Sequence, residues 1–286
     1  MSRSRPTIPG LAEMKARREQ IVMVTAYDYP TARLADEAGV DAVLVGDSGA
    51  QVVLGRTSTV DVSVDEMIML SAAVRRGVTN ALVVCDLPFG STELSDEQAV
   101  ETAIRFVKEA GADAVKLEGA TPQRTSRIRA ITQAGIPVFG HIGLTPQTAT
   151  ALGGFRAQGR SVKSAERVIN DALGVERAGA IGLVVEAVPS GIASLLPPAL
   201  RLPVIGIGAG PADGQVLVLH DLLGISSGHV PKFVKRFAEV GDDIRSGVAA
   251  YAEEVRSGAF PAAEHQYPVD ASVVQVARAV LASHGE

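Results

Sequence analysis

A phrase that recurs three times along the chain most constrains its fold. In each copy an Ala-Gly pair ends a helix-like segment, and the short apolar run that follows leads to a carboxylate. The copies are 37–42, 109–114 and 176–180, and their carboxylates are Asp47, Glu118 and Glu186. Glycine at this place is typical of a helix C-cap, and a short apolar run is typical of a buried strand. The sequence therefore predicts repeated helix–turn–strand units with acidic strand ends.

Short apolar runs alternate with helix-length segments over most of the chain. The strand-like runs are 21–25, 42–45, 81–85, 114–117, 137–140, 181–185 and 204–207, with an eighth within or near 216–219. Such alternation favours parallel strands joined by right-handed crossovers. Seven or eight such units in about 230 residues fit a closed (β/α)8 barrel better than an open doubly wound sheet.

The helices predicted between these strands also have recognisable start signals. They span 29–38, 64–76, 95–110, 123–134, 164–178 and 192–200. Ser63 and Ser95 each precede Glu or Gln by three positions, which is the pattern of a capping box. After Pro231 the pattern is helical, through 233–252 and 272–283. Because no linker divides the chain, we predict one domain over 1–286, with 232–286 as its C-terminal helical extension.

Composition excludes several classes of protein. Aromatic residues make up 4% of the chain, Trp is absent, and the net charge is −5 without a basic block. Nucleic acids and anionic membranes are therefore not expected as partners. The single cysteine, Cys85, cannot form an internal disulfide and is best interpreted as a small packed side chain. No apolar stretch approaches the ~20 residues of a membrane span, and the polar N-terminus lacks a signal-peptide core, so we expect a cytoplasmic protein.

Three acidic residues close neighbouring strands of the predicted barrel. Asp47, Asp86 and Glu118 follow the second, third and fourth apolar runs. Burying a carboxylate is costly unless it is paired or bound to metal, and oxygen ligands of this kind suit Mg²⁺. The alternative is that each carboxylate caps the N-terminus of the next helix. Ser48, beside Asp47, is either a turn residue or a hydrogen-bond donor to a bound carboxylate.

Three further residues near strand ends, Lys116, His141 and Glu186, have side chains that can bind or react with a substrate. Lys116 shares its orientation along the strand with Glu118, so it either balances the acidic cluster or neutralises an anionic substrate. His141 follows the 137–140 run, where it is either a structural residue or a hydrogen-bond donor to a carbonyl oxygen. Glu186 ends an apolar strand, and its position suits a general base. The Gly-x-Gly-x-Gly run at 206–210 lacks dinucleotide-fingerprint spacing and is better explained by close backbone packing or ligand contact.

The motifs taken in order resemble those of one enzyme family. They are Val24–Tyr29, Val45–Ser48, Ala73–Gly77, Asp86–Phe89, Val115–Gly119, Gly140–Gln147, Leu152–Phe155 with Gln158–Arg160, Gly206–Gly210 and Asp213–Val218. Together they resemble the ketopantoate hydroxymethyltransferase family, from about residue 6 to 265. That family makes ketopantoate from 3-methyl-2-oxobutanoate in pantothenate biosynthesis.

The resemblance implies a fold, cofactors and residue roles. It implies a (β/α)8 TIM barrel of the phosphoenolpyruvate mutase/isocitrate lyase type with extra C-terminal helices, Mg²⁺, 5,10-methylenetetrahydrofolate as one-carbon donor, and a homodecamer. Transferred by position, Asp47, Asp86 and Glu118 are metal residues, and Glu186 is the catalytic base. The substrate-binding positions, which again include the two aspartates, are Tyr27, Asp47, Ser48, Asp86, Lys116 and His141.

Some positions depart from the family pattern. Gly49–Gln51 stands where Leu-Gly-Met is usual, Arg56-Thr57 replaces an aromatic residue or His followed by Asp, and Met69-Leu70 replaces Tyr-His or His-His. These changes lead to the hypothesis that the chain prefers a different or broader range of 2-oxo acids; neutral drift is the alternative.

Two competing functions use the same fold. One is an aldolase or lyase that acts on another 2-oxo acid without folate. The segment of the Lys-Lys-Cys-Gly-His type that is common in the lyase branch does not occur here. The other is a binding or scaffold protein that has lost turnover, although the carboxylates needed for chemistry are all retained.

Overall fold

Eight parallel strands close into a barrel in sequence order, so that the first strand also pairs with the last. The computed structural model describes residues 6–226 and 230–284. The strands are β1 Ile21–Thr25, β2 Ala42–Val45, β3 Leu82–Asp86, β4 Ala114–Glu118, β5 Val138–Gly143, β6 Gly182–Glu186, β7 Val204–Ile207 and β8 Gly214–Leu217. The predicted (β/α)8 barrel is confirmed, and its eighth strand begins two residues before the predicted region.

Alternating side chains separate the barrel into two apolar layers and one polar end. In β4, Val115 and Leu117 belong to the layer between strands and helices. Inside the barrel, Phe139 packs with other strand residues in a second cluster, which Leu11 and Met14 of the first helix join. The interior below the strand ends is therefore filled with apolar side chains, and polar groups from the strands gather above it.

Helices occupy most of the predicted connections. They are α1 Ile8–Ala16, α2 Tyr29–Glu37, α3 Gly49–Val52, α4 Val64–Gly77, α5 Asp96–Arg105, α6 Pro122–Gln133, α7 Val162–Arg177, α8 Ser190–Ala193, α9 Leu196–Ala199 and α10 Leu219–Leu222. The capping box at Ser63 is confirmed. Ser95 caps α5 by accepting from Gln98 N, but the Gln98 side chain accepts from Leu94 N instead of closing the box. The sequence analysis did not predict α1.

One helix prediction near the C-terminus is wrong. The segment 233–252 was predicted to be helical throughout, but α11 begins only at Val240 and spans Val240–Ser257. The ring of Phe233 instead lies against Gly208, where an added Cβ would come within 2.6 Å of Phe233 Cδ1. This tertiary contact holds the segment before Val240 on the barrel in a non-helical path.

The chain divides into two compact units, Met1–Ala238 and Glu239–Glu286. The first contains the barrel. The second contains α11 and α12 Ala271–Ala282, and neither helix has a buried residue among those described. Within the described ranges, none of the helices combines the length and apolarity needed to cross a bilayer. The prediction of a single domain over 1–286 stays a prediction.

A buried carboxylate outside the strand ends anchors the turn that leads into β3. Asp36 of α2 accepts hydrogen bonds from the backbone N–H groups of Thr79, Asn80 and Ala81, at 3.1, 3.0 and 2.7 Å. Burial raises the pKa of Asp36, but the hydrogen bonds from Ala81, Thr79 and Asn80 outweigh this effect and hold the pKa below its ordinary value. Asp36 therefore stabilises the fold chiefly in its ionised form.

We expect Asp36→Ala to lower the free energy of unfolding by about 2–4 kcal/mol at pH 7, because buried N–H groups lose their acceptor. The folded-state pKa is lower than the unfolded one, so this contribution is complete above about pH 4 and is lost as the pH falls through the folded-state value. Urea denaturation at several pH values measures it. Glu37→Ala, at an exposed neighbouring position, is the matched control, and equal losses in both variants would contradict the anchoring role.

Candidate active site

A cavity of about 540 Å³ opens at the C-terminal ends of the strands. It brings together seven of the eight residues predicted from the sequence: Asp47, Ser48, Asp86, Lys116, Glu118, His141 and Glu186. The eighth, Tyr27, lies behind the wall and bonds to Ser48 across 2.8 Å. Because loops of a parallel barrel converge at this end, residues far apart in sequence meet in one place.

Asp47 and Asp86 form the acidic floor of the cavity. The Asp47 backbone N–H donates to Asp86 Oδ2 at 3.0 Å, which locks the two strand ends together. Burial raises the pKa of Asp47 well above its ordinary value, and the nearby charges of Asp86 and Glu118 raise it further. Burial also raises the pKa of Asp86, although Lys116 opposes this. Two buried carboxylates so close together favour a cation between them.

Lys116 supplies a buried positive charge beside this floor. Its Nζ lies 3.0 Å from Asp86 Oδ1 and 4.0 Å from Glu118 Oε1. Burial lowers the pKa of Lys116, but Asp86, Glu118 and Asp47 outweigh this effect and raise the pKa above its ordinary value. The ammonium is therefore charged at neutral pH. The predicted shared orientation of Lys116 and Glu118 is confirmed, since both line the cavity.

His141 connects two carboxylates. Its Nδ1 lies 3.2 Å from Glu118 Oε1, and its Nε2 lies 3.2 Å from Glu186 Oε2. Burial and the charge of Lys116 lower the pKa of His141, whereas Glu118 and Glu186 raise it, with a net rise to about 9. Nδ1 also lies 3.2 Å from Lys116 Nζ, and the contact of Nε2 with Glu186 is not directed as a hydrogen bond. The ring therefore lies between the Glu118 and Glu186 carboxylates.

The backbone after Glu186 is held in an unusual conformation. Ala187 has φ 49°, in the left-handed region, which costs a non-glycine residue about 1–2 kcal/mol. Two hydrogen bonds of 2.9 Å stabilise it, from Ala187 N to Ile207 O and from Gln158 N to Ala187 O. The chain thus turns away immediately after Glu186, which leaves this carboxylate at the edge of the cavity.

Sequence reasoning missed Gln147. This buried side chain donates from Nε2 to Asp47 Oδ2 at 2.9 Å and to Leu87 O at 3.0 Å. Its backbone N–H donates to Glu118 Oε2 at 3.0 Å. A single residue therefore fixes two of the acidic strand ends. The signal was present, since Gln147 closes the Gly140–Gln147 motif, but nothing local indicated its partners.

Two of the departures from the family pattern, Gly49 and Leu70, lie against each other. A Cβ on Gly49 would lie 2.8 Å from Tyr27 Cδ1 and 3.2 Å from Leu70 Cδ1, so a side chain at position 49 would displace both. Met69 is 59% exposed and points away from this contact. Gln51 lines the cavity, and its side chain donates to Thr57 O at 3.3 Å. Of these positions, Gln51 alone is among the residues described as lining the cavity.

The carboxylate oxygens at the cavity floor would supply part of the coordination shell of a divalent cation. Asp86 Oδ1 is buried, and its close contact with Lys116 is not directed as a hydrogen bond, so a lone pair remains free. Within residues 6–226 and 230–284, no three His, Cys, Asp or Glu side chains form a ready metal cage. Mg²⁺ commonly takes one or two carboxylates and completes its shell with water or substrate oxygens. Asp47 and Asp86 fit that pattern.

The fold and the site define a class: a (β/α)8 barrel enzyme whose acidic, lysine and histidine side chains meet at the C-terminal end of the strands. The chain belongs to the ketopantoate hydroxymethyltransferase family, whose model matches residues 5–263. This confirms the family resemblance seen in the sequence and makes the protein a transferase.

Curated relatives of about half identity carry one name, 3-methyl-2-oxobutanoate hydroxymethyltransferase. The protein from Heliobacterium modesticaldum is 51% identical over 265 residues, covering 92% of this chain and 96% of the relative. The protein from Moorella thermoacetica is 53% identical, covering 93% and 98%. That from Rhodococcus jostii is 53% identical, covering 90% and 89%. The match therefore spans nearly the whole of each relative.

Solved structures of low identity share the fold. Phosphoenolpyruvate phosphomutase from Streptomyces platensis subsp. rosaceus has a TM-score of 0.61 at 15% identity, covering 98% of each chain. A 2,3-dimethylmalate lyase of the PEP mutase/isocitrate lyase superfamily has a TM-score of 0.59 at 16% identity, covering 88% of each chain. These similarities confirm the predicted (β/α)8 fold.

Proposed function

We propose that this protein transfers a hydroxymethyl group from 5,10-methylenetetrahydrofolate to 3-methyl-2-oxobutanoate, giving ketopantoate for pantothenate biosynthesis. One C–H bond at C3 breaks and one C–C bond to the one-carbon unit forms. A water molecule supplies the hydroxyl group, and tetrahydrofolate leaves. The observation that carries the proposal is the meeting of Asp47, Asp86, Lys116, His141 and Glu186 in one cavity of a chain of this family.

Different residues bind the 2-oxo acid and remove its C3 proton. An anionic 2-oxo acid is attracted by the buried ammonium of Lys116 at the cavity floor. Glu186 lines the same cavity and takes the C3 proton as general base. His141 lies beside the Glu186 carboxylate, with Nε2 3.2 Å from Glu186 Oε2. Ser48, held by the buried Tyr27 hydroxyl, is positioned to donate to the substrate carboxylate.

Asp47 and Asp86 would hold Mg²⁺, with Glu118 as the third residue of the predicted set. When bound, the ion supplies Lewis-acid stabilisation of negative charge that develops on substrate oxygens. Gln147 and the Asp47 backbone N–H keep these carboxylates in position. Glu118 accepts a hydrogen bond from Gln147 N and contacts His141. Burial by itself would raise the pKa of Glu118, but these interactions outweigh it, so the pKa lies below its ordinary value.

The assay that tests the proposal measures two partial reactions. Exchange of the C3 proton of 3-methyl-2-oxobutanoate in D₂O reports proton removal, and product formation with 5,10-methylenetetrahydrofolate reports transfer. We expect both, and we expect both to need Mg²⁺. Exchange without transfer, or turnover with free aldehyde at the same rate, would instead favour an aldolase.

The position of Gln51 favours a second candidate function, in which the protein carries out the same reaction on another 2-oxo acid. Its amide adds a polar group to the cavity wall. Pocket changes of this size shift selectivity by about 10–200-fold. Comparing kcat/KM for 3-methyl-2-oxobutanoate with that for longer and polar 2-oxo acids decides between the two. A clear preference for the branched C5 acid would leave the first proposal standing alone.

Gln147 offers a test of the metal assignment that does not depend on turnover. Gln147→Leu removes the hydrogen bond to Asp47, and the loss of a partner that orients a metal ligand typically weakens metal binding by about 10–100-fold. We expect that loss in Mn²⁺ or Mg²⁺ titrations of the protein without substrate. Gln98→Leu is the matched control, because that side chain bonds to Leu94 N and Gly90 O away from the cavity. Unchanged affinity in Gln147→Leu would overturn this role.

The homodecamer and the cytoplasmic location stay predictions. Gel filtration with light scattering tests the first, and fractionation of the source cells tests the second.

A further inference from the structure

From a groove beside the active site, we infer where the second substrate binds: Arg160, Lys232 and Phe233 form a subsite for the folate donor, with the two cations holding its glutamate carboxylates. This inference rests on the proposed function. It deepens that function by assigning the donor to residues that neither the motifs nor the family match places in any role.

The groove is continuous with the active-site cavity. It has a volume of about 770 Å³, and four residues line both spaces: Ala157, Ala187, Lys232 and Phe233. Ala187 directly follows Glu186, the proposed base. A ligand that occupies the groove therefore reaches the place where the C3 carbon of the oxo acid reacts. The cavity alone, at about 540 Å³, holds a small oxo acid and only part of a folate.

The groove is lined by positively charged side chains, whereas the floor of the active-site cavity and the chain as a whole are acidic. Arg160 and Lys232 line it, and Arg156 lines the adjoining cavity wall. None of the described residues that line the groove is acidic. In the part of the chain that the structure describes, Arg160 and Lys232 form no ion pair. Unpaired cations on a chain of net charge −5 are suited to anionic groups of a ligand, and the glutamate tail of folate carries several carboxylates.

An aromatic ring is fixed at the boundary between groove and cavity. Phe233 is 38% exposed, and its ring rests on Gly208, which has φ +61°. Any side chain at position 208 would displace the ring, since a Cβ would lie 2.6 Å from Phe233 Cδ1. A partly exposed ring held in this way offers a face for a flat heterocycle. The pterin ring of the donor would lie there, with the tail directed toward Arg160.

The test measures the KM for 5,10-methylenetetrahydrofolate with one and with three glutamates. We expect Arg160→Ala to raise the KM for the donor by about tenfold, the effect of losing a charge-assisted contact, and to reduce the preference for the longer tail. Lys232→Ala should act in the same direction. Arg160 does not line the cavity, so exchange of the C3 proton of 3-methyl-2-oxobutanoate, which needs no donor, should change by less than twofold in Arg160→Ala.

Controls separate this inference from the function on which it rests. Arg129→Ala and Lys108→Ala, at exposed cations outside both spaces, should leave the donor KM unchanged. A donor KM in Arg160→Ala and Lys232→Ala equal to that of the unaltered protein would overturn the subsite while leaving the transferase function intact. Failure of the unaltered protein to use the donor at all would overturn the proposed function, and the subsite with it.

Discussion

Replacing Glu186 by glutamine is expected to slow exchange of the C3 proton of 3-methyl-2-oxobutanoate by about 10²–10⁴-fold, the usual contribution of a positioned general base. Glutamine keeps the size of the side chain and an oxygen that can face His141 Nε2, which lies 3.2 Å from Glu186 Oε2. The cavity shape and the binding of the oxo acid should therefore persist. Exchange in D₂O followed by NMR measures the rate, and calorimetry measures the binding.

The matched control for this variant is Glu166→Gln, at an exposed position of α7. It changes the same charge without touching the cavity and should exchange at the rate of the unaltered protein. If Glu186→Gln bound the oxo acid and exchanged its C3 proton at an undiminished rate, the base would have to be another group. Loss of binding together with exchange would instead show that Glu186 acts in binding the oxo acid.

The second large effect is expected from Asp86→Asn. The amide still offers an oxygen to the Asp47 backbone N–H, which now donates to Asp86 Oδ2 at 3.0 Å, so the strand ends should remain joined. The negative charge needed for a divalent cation is lost, and Lys116 loses its nearest carboxylate. We expect turnover to fall on the order of 10³-fold, with a higher Mg²⁺ concentration needed for the remaining activity.

Asp171→Asn, at a half-buried carboxylate of α7 outside the cavity, controls for the general effect of removing a buried charge. Circular dichroism establishes that both variants are folded. Near-normal turnover of Asp86→Asn at low Mg²⁺ would contradict the metal assignment, whereas equal losses in the two variants would indicate a change in the fold.

The strand ends could be predicted because each is encoded locally. An apolar run followed by a carboxylate marks both the element and the residue that it presents, and β1, β2 and β7 begin and end at the predicted residues. Closure of the barrel in sequence order then brings these ends together. Asp47, Asp86 and Glu118 therefore needed no knowledge of long-range contacts.

The features that the sequence did not predict depend on contacts between residues that are not local in sequence. Gln147 bonds to Asp47 across 100 positions of sequence, and no local pattern specifies such a partner. The non-helical path around Phe233 depends on its contact with Gly208, which overrides the helical pattern of the segment. Similarly, α5 ends at Arg105 and continues as a π-helical turn over Phe106–Ala110, a change of winding that apolar periodicity does not distinguish.

Among the described residues, the apolar cluster inside the barrel closes the active site on the side that lies beneath the strand ends. Phe139, Val84 and Met23 fill the space beneath the strand ends and are buried, so reactants and products pass over the same rim. A donor lying across that rim would stand in the path of the smaller oxo acid. The two substrates would therefore follow a fixed order of arrival, the oxo acid first, and ketopantoate would wait for tetrahydrofolate to depart.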